Sequence, residues 1–194
     1  MITVENTIKW LNLFSDRIAD HKDYLSELDQ AIGDGDHGTN MARGAAAMKE
    51  ALNGKAFKTV QEVLKTAAMS LLSKIGGASG PLYGSAFIGM AKIAAGDETD
   101  PAELVRAGAS SIQHRGKAKP GDKTMVDVWL PVAEALKSGK LTVDTINQAV
   151  QSTKPMKAKK GRASYLGDRS IGHLDPGSVS SGYLFETMLE GGLL

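Results

Sequence analysis

Cysteine is absent from this 194-residue chain, so disulfide bonds and thiolate metal sites are excluded. Charge of one sign is not in excess either, because 23 basic side chains stand against 22 acidic ones. No stretch approaches the roughly 18 apolar residues of a membrane span. The apolar start MITVENTIKWLNLF has neither a basic n-region nor a small-residue cleavage site, unlike a signal peptide. We therefore expect a cytoplasmic protein that binds neither nucleic acid nor a membrane.

Strand signals are also poor, since no run of β-branched and aromatic residues alternates with period two. Helical spacing dominates instead, as in Ile8, Leu11 and Ile18. The segment from Val60 to Ile75 has a second apolar face, and Asp100-Pro101 is typical of a helix start. We expect further helices near 21–31, 39–53, 81–95, 124–138, 143–153 and 178–191, with Pro131 kinking or shortening one of them. The predicted fold is a single all-α domain, residues 1–194, of about eight antiparallel helices.

Glycine is concentrated in four segments that contain more of it than helical turns need. Such backbone lets main-chain N–H groups approach an anion closely. The segments are IGDGDHGTN (32–40), IGGASGPLYGS (75–85), RGKAKPGDKTMVD (115–127) and GRASYLGDRSIGHLDPGS (161–178).

The first of these segments, read with the helix before it, is rich in carboxylates. Asp29, Asp34 and Asp36 lie within eight residues and would repel one another without a cation. Oxygen ligands alone favour a hard cation such as Mg²⁺, Mn²⁺ or Ca²⁺. An EF-hand does not fit, because Thr39 and Ala45 stand where its glycine and final glutamate belong. A solvated turn remains the alternative.

The same segment matches G-x-G-x-x-G literally over Gly33–Gly38, but no strand precedes it and its two aspartates would repel a pyrophosphate without metal. The helix that opens at Gly38-Thr39-Asn40 offers free N–H groups and a partial positive charge. Three carboxylates and an ADP pyrophosphate each contribute about −3, so two divalent ions suit the charge better than one. Metal and helix together would form a phosphate site.

The other segments leave alternatives open. Ser79 and its neighbouring amides could bind phosphate or form an interhelical turn. The stretch from Gly116 to Thr124 resembles a P-loop but is not one, because Asp122 intrudes and no strand leads in. It could still begin a helix near a nucleotide, or Asp122, Lys123 or Thr124 could simply cap that helix. Arg162 and Arg169 could contact phosphate or stabilise transferring charge. The turn Asp175-Pro176-Gly177 could close over a base or ribose, or simply cap a helix.

Three histidines invite a catalytic interpretation because imidazole titrates near neutrality. No local pattern supports a catalytic role for His37, His114 or His173. A phosphohistidine carrier is an alternative that likewise has no local support. His37 is a binding candidate, because it adjoins the predicted metal loop.

The four glycine-rich segments, in this order and over essentially the whole chain, resemble the L subunit of dihydroxyacetone kinases. That family forms a barrel of eight antiparallel helices with the nucleotide at one end. The resemblance implies that Asp29, Asp34 and Asp36 bind two Mg²⁺ ions bridging ADP or ATP phosphates. Arg162 is the candidate catalytic residue, because its guanidinium could stabilise transferring charge. The resemblance also implies the following nucleotide-binding residues: His37, Gly38, Thr39, Asn40, Ala78, Ser79, Gly116, Met125, Arg162, Asp175, Pro176 and Gly177.

The family works in two modes. Some members serve an ATP-dependent kinase that also has a dihydroxyacetone-binding K domain. In the others ADP stays on L, is phosphorylated by a phosphohistidine M subunit of the phosphotransferase system, and passes the phosphate to dihydroxyacetone on a K subunit. We expect this second mode, with K and M as partners, because the sequence contains no K domain and its length matches that of a free subunit. A nucleotide-linked regulatory protein remains the alternative. The cationic run from Lys154 to Arg162 is predicted to form the rim of the docking surface or a solvated loop.

Overall fold

The computed structural model describes residues 2–94 and 99–194. This part of the chain contains nine α-helices and one 3-10 segment, and no strand. The α-helices are α1 Val4–Asp20, α2 Lys22–Ile32, α3 His37–Asn53, α4 Val60–Lys74, α5 Ser79–Ile93, α6 Pro101–Gly116, α7 Val126–Lys137, α8 Val143–Ser152 and α9 Pro176–Glu190. The 3-10 segment, Arg162–Ser170, is interrupted at Gly167, where φ is +57°.

The predicted all-α fold is confirmed, and the predicted helices correspond to the observed ones with ends that differ by a few residues. Helices α3, α5 and α9 each begin two residues earlier than expected, so their first turns include residues predicted to be in loops. The predicted end of one helix at residue 95 lies outside the described residues. Helix α7 includes Pro131 and continues past it.

Local capping explains where several helices begin. The side chains of Thr3 and Thr142 each accept a hydrogen bond from the backbone N–H three residues on, in reciprocal capping boxes. Asp100 accepts from the N–H of Ala102 and is followed by Pro101, whose fixed φ suits a first turn. These starts are set by neighbouring residues alone, which is why the sequence predicts them.

The helices pack as a closed circuit in which α1 contacts α3, each later helix contacts the next, and α9 returns to α1. Helix α2 packs against α3 and α9. The interior holds large apolar side chains, including Trp10, Phe14, Phe87 and Trp129, all fully buried. Truncating one of these aromatics to alanine would cost about 3–5 kcal/mol. None of the helices in the described ranges is both long and apolar enough to cross a membrane.

Candidate functional site

A cavity of about 470 Å³ lies where many helix ends meet. Residues at or just before the N-termini of α3, α5, α7 and α9 line it, among them His37, Ser79, Met125 and Pro176. Helices α2 and α6 end there, at Ile32 and Gly116, and Gly76 lines it just after α4. Four helix N-termini bring partial positive charge to one place, which favours an anionic ligand.

One side of the cavity, which we call the acidic wall, consists of Asp29, Asp34 and Asp36. One carboxylate oxygen from each residue lies within 4.8 Å of the others. Asp34 and Asp36 are exposed, and Asp29 is half-buried. Three oxygen donors at this separation fit a hard divalent cation, and the described residues offer no other group of three such ligands.

Local backbone contacts hold Asp29 in place. Its Oδ2 accepts hydrogen bonds from the N–H groups of Asp36 at 2.9 Å and His37 at 3.1 Å, so it caps α3 from the preceding helix. Burial raises the pKa of the Asp29 carboxyl, the two backbone donors oppose that shift, and the charges of Asp34 and Asp36 add to it. Gly33 makes this arrangement possible, because a Cβ there would lie 2.1 Å from Asp29 Oδ1.

His37 is buried, and other side chains occupy both of its ring nitrogens. Nδ1 lies 3.0 Å from Ser79 Oγ, and Nε2 lies 3.0 Å from Ser180 Oγ. Ser180 Oγ also contacts Tyr83 OH at 2.8 Å, so the chain of hydrogen bonds continues into the core. Burial lowers the pKa of His37 to about 4, which keeps the ring neutral at physiological pH. The imidazole therefore orients Ser79 at the start of α5.

A further part of the cavity lining comes from the segment of residues 154–173, which we call the basic loop. Lys160, Gly161 and Arg162 of this loop line the cavity. Arg162 Nη1 lies 2.9 Å from Asp34 Oδ2, so the guanidinium contacts the acidic wall directly. The Arg162 side chain is 71% exposed, so this ion pair contributes little to stability and the arginine can exchange partners.

Asp175, which follows the basic loop in the chain, also lines the cavity. Its Oδ2 accepts hydrogen bonds from Ser178 N at 2.7 Å and Ser178 Oγ at 2.9 Å, so it caps α9. Burial raises the pKa of the Asp175 carboxyl to about 6, although both Ser178 hydrogen bonds and the nearby Lys123 ammonium oppose the shift. The helix cap anticipated at 175–178 is thus observed, and the same residues line the cavity.

The structure gathers most of the predicted site residues around this cavity. Gly38 and Thr39 are not among its lining residues: a Cβ on Gly38 would lie 1.8 Å from Lys22 O, so this glycine serves the close packing of α3 on α2. His114 and His173 are exposed and, like Arg169, do not line it. The predicted residues that do are Asp29, Asp34, Asp36, His37, Asn40, Ala78, Ser79, Gly116, Met125, Arg162, Asp175, Pro176 and Gly177.

Sequence reasoning missed several groups that shape this site. Lys123 is 2% exposed, and its ammonium lies inside the basic loop. Ser180 and Tyr83 orient His37 from the core, and Arg43 donates to Asn40 Oδ1 at 2.6 Å. Most of these partners lie more than 40 positions apart, so no local pattern could have revealed them.

Comparison with known proteins places this architecture. The DAK2 domain family matches residues 31–190. This range includes all of the basic loop and, from the acidic wall, Asp34 and Asp36 but not Asp29. The chain belongs to the DAK2 domain family. It is 53% identical over 190 residues to the ADP-binding subunit DhaL of the PTS-dependent dihydroxyacetone kinase of Lactococcus lactis subsp. lactis, covering 98% of both chains. It is 54% identical over 187 residues to the DhaL subunit of PEP-dependent dihydroxyacetone kinase 1 of Listeria innocua, covering 94% of each.

A solved structure shares the fold of this family member. The crystal structure of the dihydroxyacetone kinase from C. freundii in complex with AMP-PNP and Mg²⁺ superposes with a TM-score of 0.76 at 22% identity. The match covers 95% of this chain and 33% of the solved one, so the chain spans about a third of that kinase. The resemblance to L subunits that the four glycine-rich segments indicated is confirmed.

Proposed function

We propose that this chain is the nucleotide-carrying L subunit of a phosphoenolpyruvate-dependent dihydroxyacetone kinase. It holds ADP, which is phosphorylated by a phosphohistidine on an M subunit of the phosphotransferase system. The resulting ATP phosphorylates dihydroxyacetone bound on a K subunit. The observation that carries the proposal is the cavity itself, where four helix N-termini face three clustered carboxylates. The near full-length match to relatives named as DhaL subunits supports the same assignment.

The acidic wall is the proposed Mg²⁺ site. Its three carboxylates are oxygen donors that fit a hard cation, and the charge of an ADP pyrophosphate beside them favours two ions. Bound Mg²⁺ would offset the negative charge on the phosphates. The residues of the chain supply the rest: Asp29 is held by two N–H groups, and Asp34 and Asp36 remain exposed to the cavity.

The rest of the cavity suits a nucleotide. Ser79 and the helix N-termini offer donors for phosphate, while Leu82, Ile112 and Met125 offer apolar surface for a base. Arg162 is the proposed catalytic group, because its guanidinium already reaches the acidic wall and can follow charge that develops on a transferring phosphoryl group. Its high exposure leaves it free to do so.

The chain should not act alone. Phosphoryl transfer needs donor and acceptor held in line within a few ångströms, so K and M must dock over the cavity in the cytoplasm. Reconstitution tests this requirement. The purified chain, mixed with K, dihydroxyacetone, phosphorylated M and only a catalytic amount of ADP, should form dihydroxyacetone phosphate. Full activity of the isolated chain with ATP and dihydroxyacetone would overturn the subunit assignment. Activity with K and ATP but none with phosphorylated M would favour the ATP-dependent mode.

A regulatory nucleotide-binding protein is the alternative, and the purified protein distinguishes it. A carrier that keeps ADP as a cofactor should release ADP on acid precipitation and should accept phosphate from M. A regulator would bind nucleotide without accepting phosphate. The presence of Arg162 beside the acidic wall favours the carrier, because regulation alone does not require a cation next to the metal ligands.

A further inference from the structure

Lys123 is the one lysine that the structure describes as buried, and the proposed function does not use it. Its ammonium donates hydrogen bonds to three backbone carbonyls, those of Met156 at 3.1 Å, Ser170 at 2.7 Å and His173. A lysine ammonium has three N–H donors, so all of them are engaged. Although Lys123 lines the cavity, it could donate to a phosphate only by releasing one of these carbonyls. It therefore differs from the lysine of a P-loop, which binds phosphate directly.

The three acceptors all belong to the basic loop, residues 154–173. The loop closes at its base, where Gly172 N donates to Lys154 O at 2.8 Å. Inside it, Ala158 N donates to the buried Ser170 Oγ at 2.9 Å. The ammonium thus occupies the centre of a loop whose two arms both direct carbonyls toward it. Hydrogen bonds from a charged donor are stronger than neutral ones, so the ammonium is a strong link between the two arms.

The backbone at Lys123 gives a second indication that its side chain matters. Its φ is +60°, in the left-handed region that glycine adopts far more easily than lysine. Lysine occupies this position despite the cost, and the conformation directs the side chain into the basic loop rather than into solvent. Lys117, at the end of α6, also has a positive φ of +50° but is exposed.

We propose that Lys123 is a positioning residue, whose ammonium holds the two arms of the basic loop together and thereby places Arg162 over the cavity. Arg162 lies between the arms, six residues after Met156 and eight before Ser170. Its own contact, with Asp34, is an exposed ion pair that cannot hold the loop. Whether Lys123 keeps the loop ordered can be tested on this chain alone, whereas the effect of Lys123 on turnover rests on the proposed function.

Limited trypsinolysis tests the first part without any assay of activity. Lys157, Lys159, Lys160 and Arg162 offer trypsin sites within the loop. Lys123→Met should accelerate cleavage there by about tenfold or more, because loss of the charged hydrogen bonds raises the population of the open loop. Lys117→Met is the matched control: the same substitution at another left-handed position of the same interhelical segment should leave the rate unchanged. Mass spectrometry locates the cuts, and unchanged loop cleavage in folded Lys123→Met overturns the proposal.

Lys123→Gly is the second variant, because it relieves the left-handed backbone while removing the ammonium, and so guards against misfolding of the methionine variant. It should show the same faster loop cleavage. If Lys123→Gly is folded by circular dichroism and its loop is as resistant as in the unsubstituted chain, the ammonium does not hold the loop.

Turnover with K, phosphorylated M and Mg²⁺-ADP tests the second part. Lys123→Met should lower kcat by about tenfold or more while changing the affinity for Mg²⁺-ADP much less, since a misplaced catalytic group costs rate. In the Arg162→Ala background the same substitution should add almost nothing, because Lys123 acts through Arg162. An additive loss in the double variant would overturn the positioning role. If the unsubstituted chain itself shows no turnover, the proposed function fails, while the trypsin result still decides the loop.

Discussion

The acidic wall and the basic loop line one cavity and meet at the ion pair of Arg162 with Asp34, but they are built in different ways. Asp29, Asp34 and Asp36 lie within eight residues, and the contacts that hold Asp29 come from backbone seven and eight positions away. Lys123 holds the basic loop through carbonyls 33 to 50 positions away. The anionic half of the site is thus local, and the cationic half depends on the tertiary fold. Each can therefore be weakened without the other.

The largest effect should come from neutralising the acidic wall. Asp34→Asn and Asp36→Asn should each lose most of the binding of Mg²⁺-ADP, because each removes a ligand and a charge from a site that needs both. Calorimetry with and without Mg²⁺ measures this. Asp23→Asn, at an exposed position of α2, is the control and should bind normally. Equal ADP affinity after chelation of the metal would contradict a metal-dependent site.

Removing the Arg162 guanidinium from the basic loop should lower the rate of turnover more than the affinity for nucleotide. Arg162→Ala is expected to lower turnover of the reconstituted system by about 10²–10³-fold, the usual loss for one group that stabilises transition-state charge. Arg162→Lys should recover only part of it, because the planar fork is lost. Steady-state kinetics and calorimetry separate the two quantities. A variant whose nucleotide affinity fell as far as its rate would place Arg162 in binding instead.

The local construction of the acidic wall can be tested through Gly33. Gly33→Ala should weaken Mg²⁺-ADP binding by about tenfold, because its Cβ would displace the Asp29 carboxylate from a distance of 2.1 Å. Gly54→Ala, at the far end of α3 and with an ordinary φ of −84°, serves as the control. Normal binding by the Gly33 variant would show that the wall adapts, and the contrast with the basic loop would be smaller than the structure indicates.

A smaller, several-fold effect is expected on the outer face of the basic loop. Lys160 lines the cavity, so the test of docking uses Lys157 and Lys159, whose exposed side chains pair with Asp168 and Asp122. Reversing both charges to Glu should slow turnover with K and M by about 2–10-fold, since steering by rim charges acts on association. Nucleotide affinity should hardly change. An unaltered dependence of turnover on partner concentration would leave these lysines as a solvated surface.

A separate effect, on stability rather than on turnover, concerns pH and Asp175. Its pKa is raised from 3.8 to about 6 in the folded chain, so between these values the native state keeps a proton that the unfolded chain has released. Lowering the pH from about 7 to about 4 should therefore stabilise the wild type relative to Asp175→Asn. Denaturant unfolding of both proteins at several pH values gives the difference in free energy. A difference that stays flat or reverses would show that the carboxyl is not raised.

The sequence predicted a structural feature correctly wherever neighbouring residues alone cause that feature. The helices follow from apolar spacing and from caps such as Thr3 and Asp100. The acidic wall follows from three carboxylates that lie close together in the chain. That it binds a metal ion stays a prediction. A glycine is harder to interpret, because this residue type has two uses. The nucleotide contact of Gly38 stays a prediction, and the structure shows that the same glycine allows α3 to approach α2 closely.

The sequence by itself determined the helices, the family and the anionic half of the site. The helices and the three carboxylates rest on spacing over a few residues, and the family rests on four unusual glycine-rich segments that occur in a characteristic order along the chain. Only the tertiary structure decided which helix ends meet at one cavity, that His37 turns both nitrogens inward to Ser79 and Ser180, and that Lys123 is buried among carbonyls. Those contacts depend on how the helices pack as a closed circuit. A lysine in a glycine-rich segment has the same local pattern whether it faces solvent or fills the centre of a distant loop.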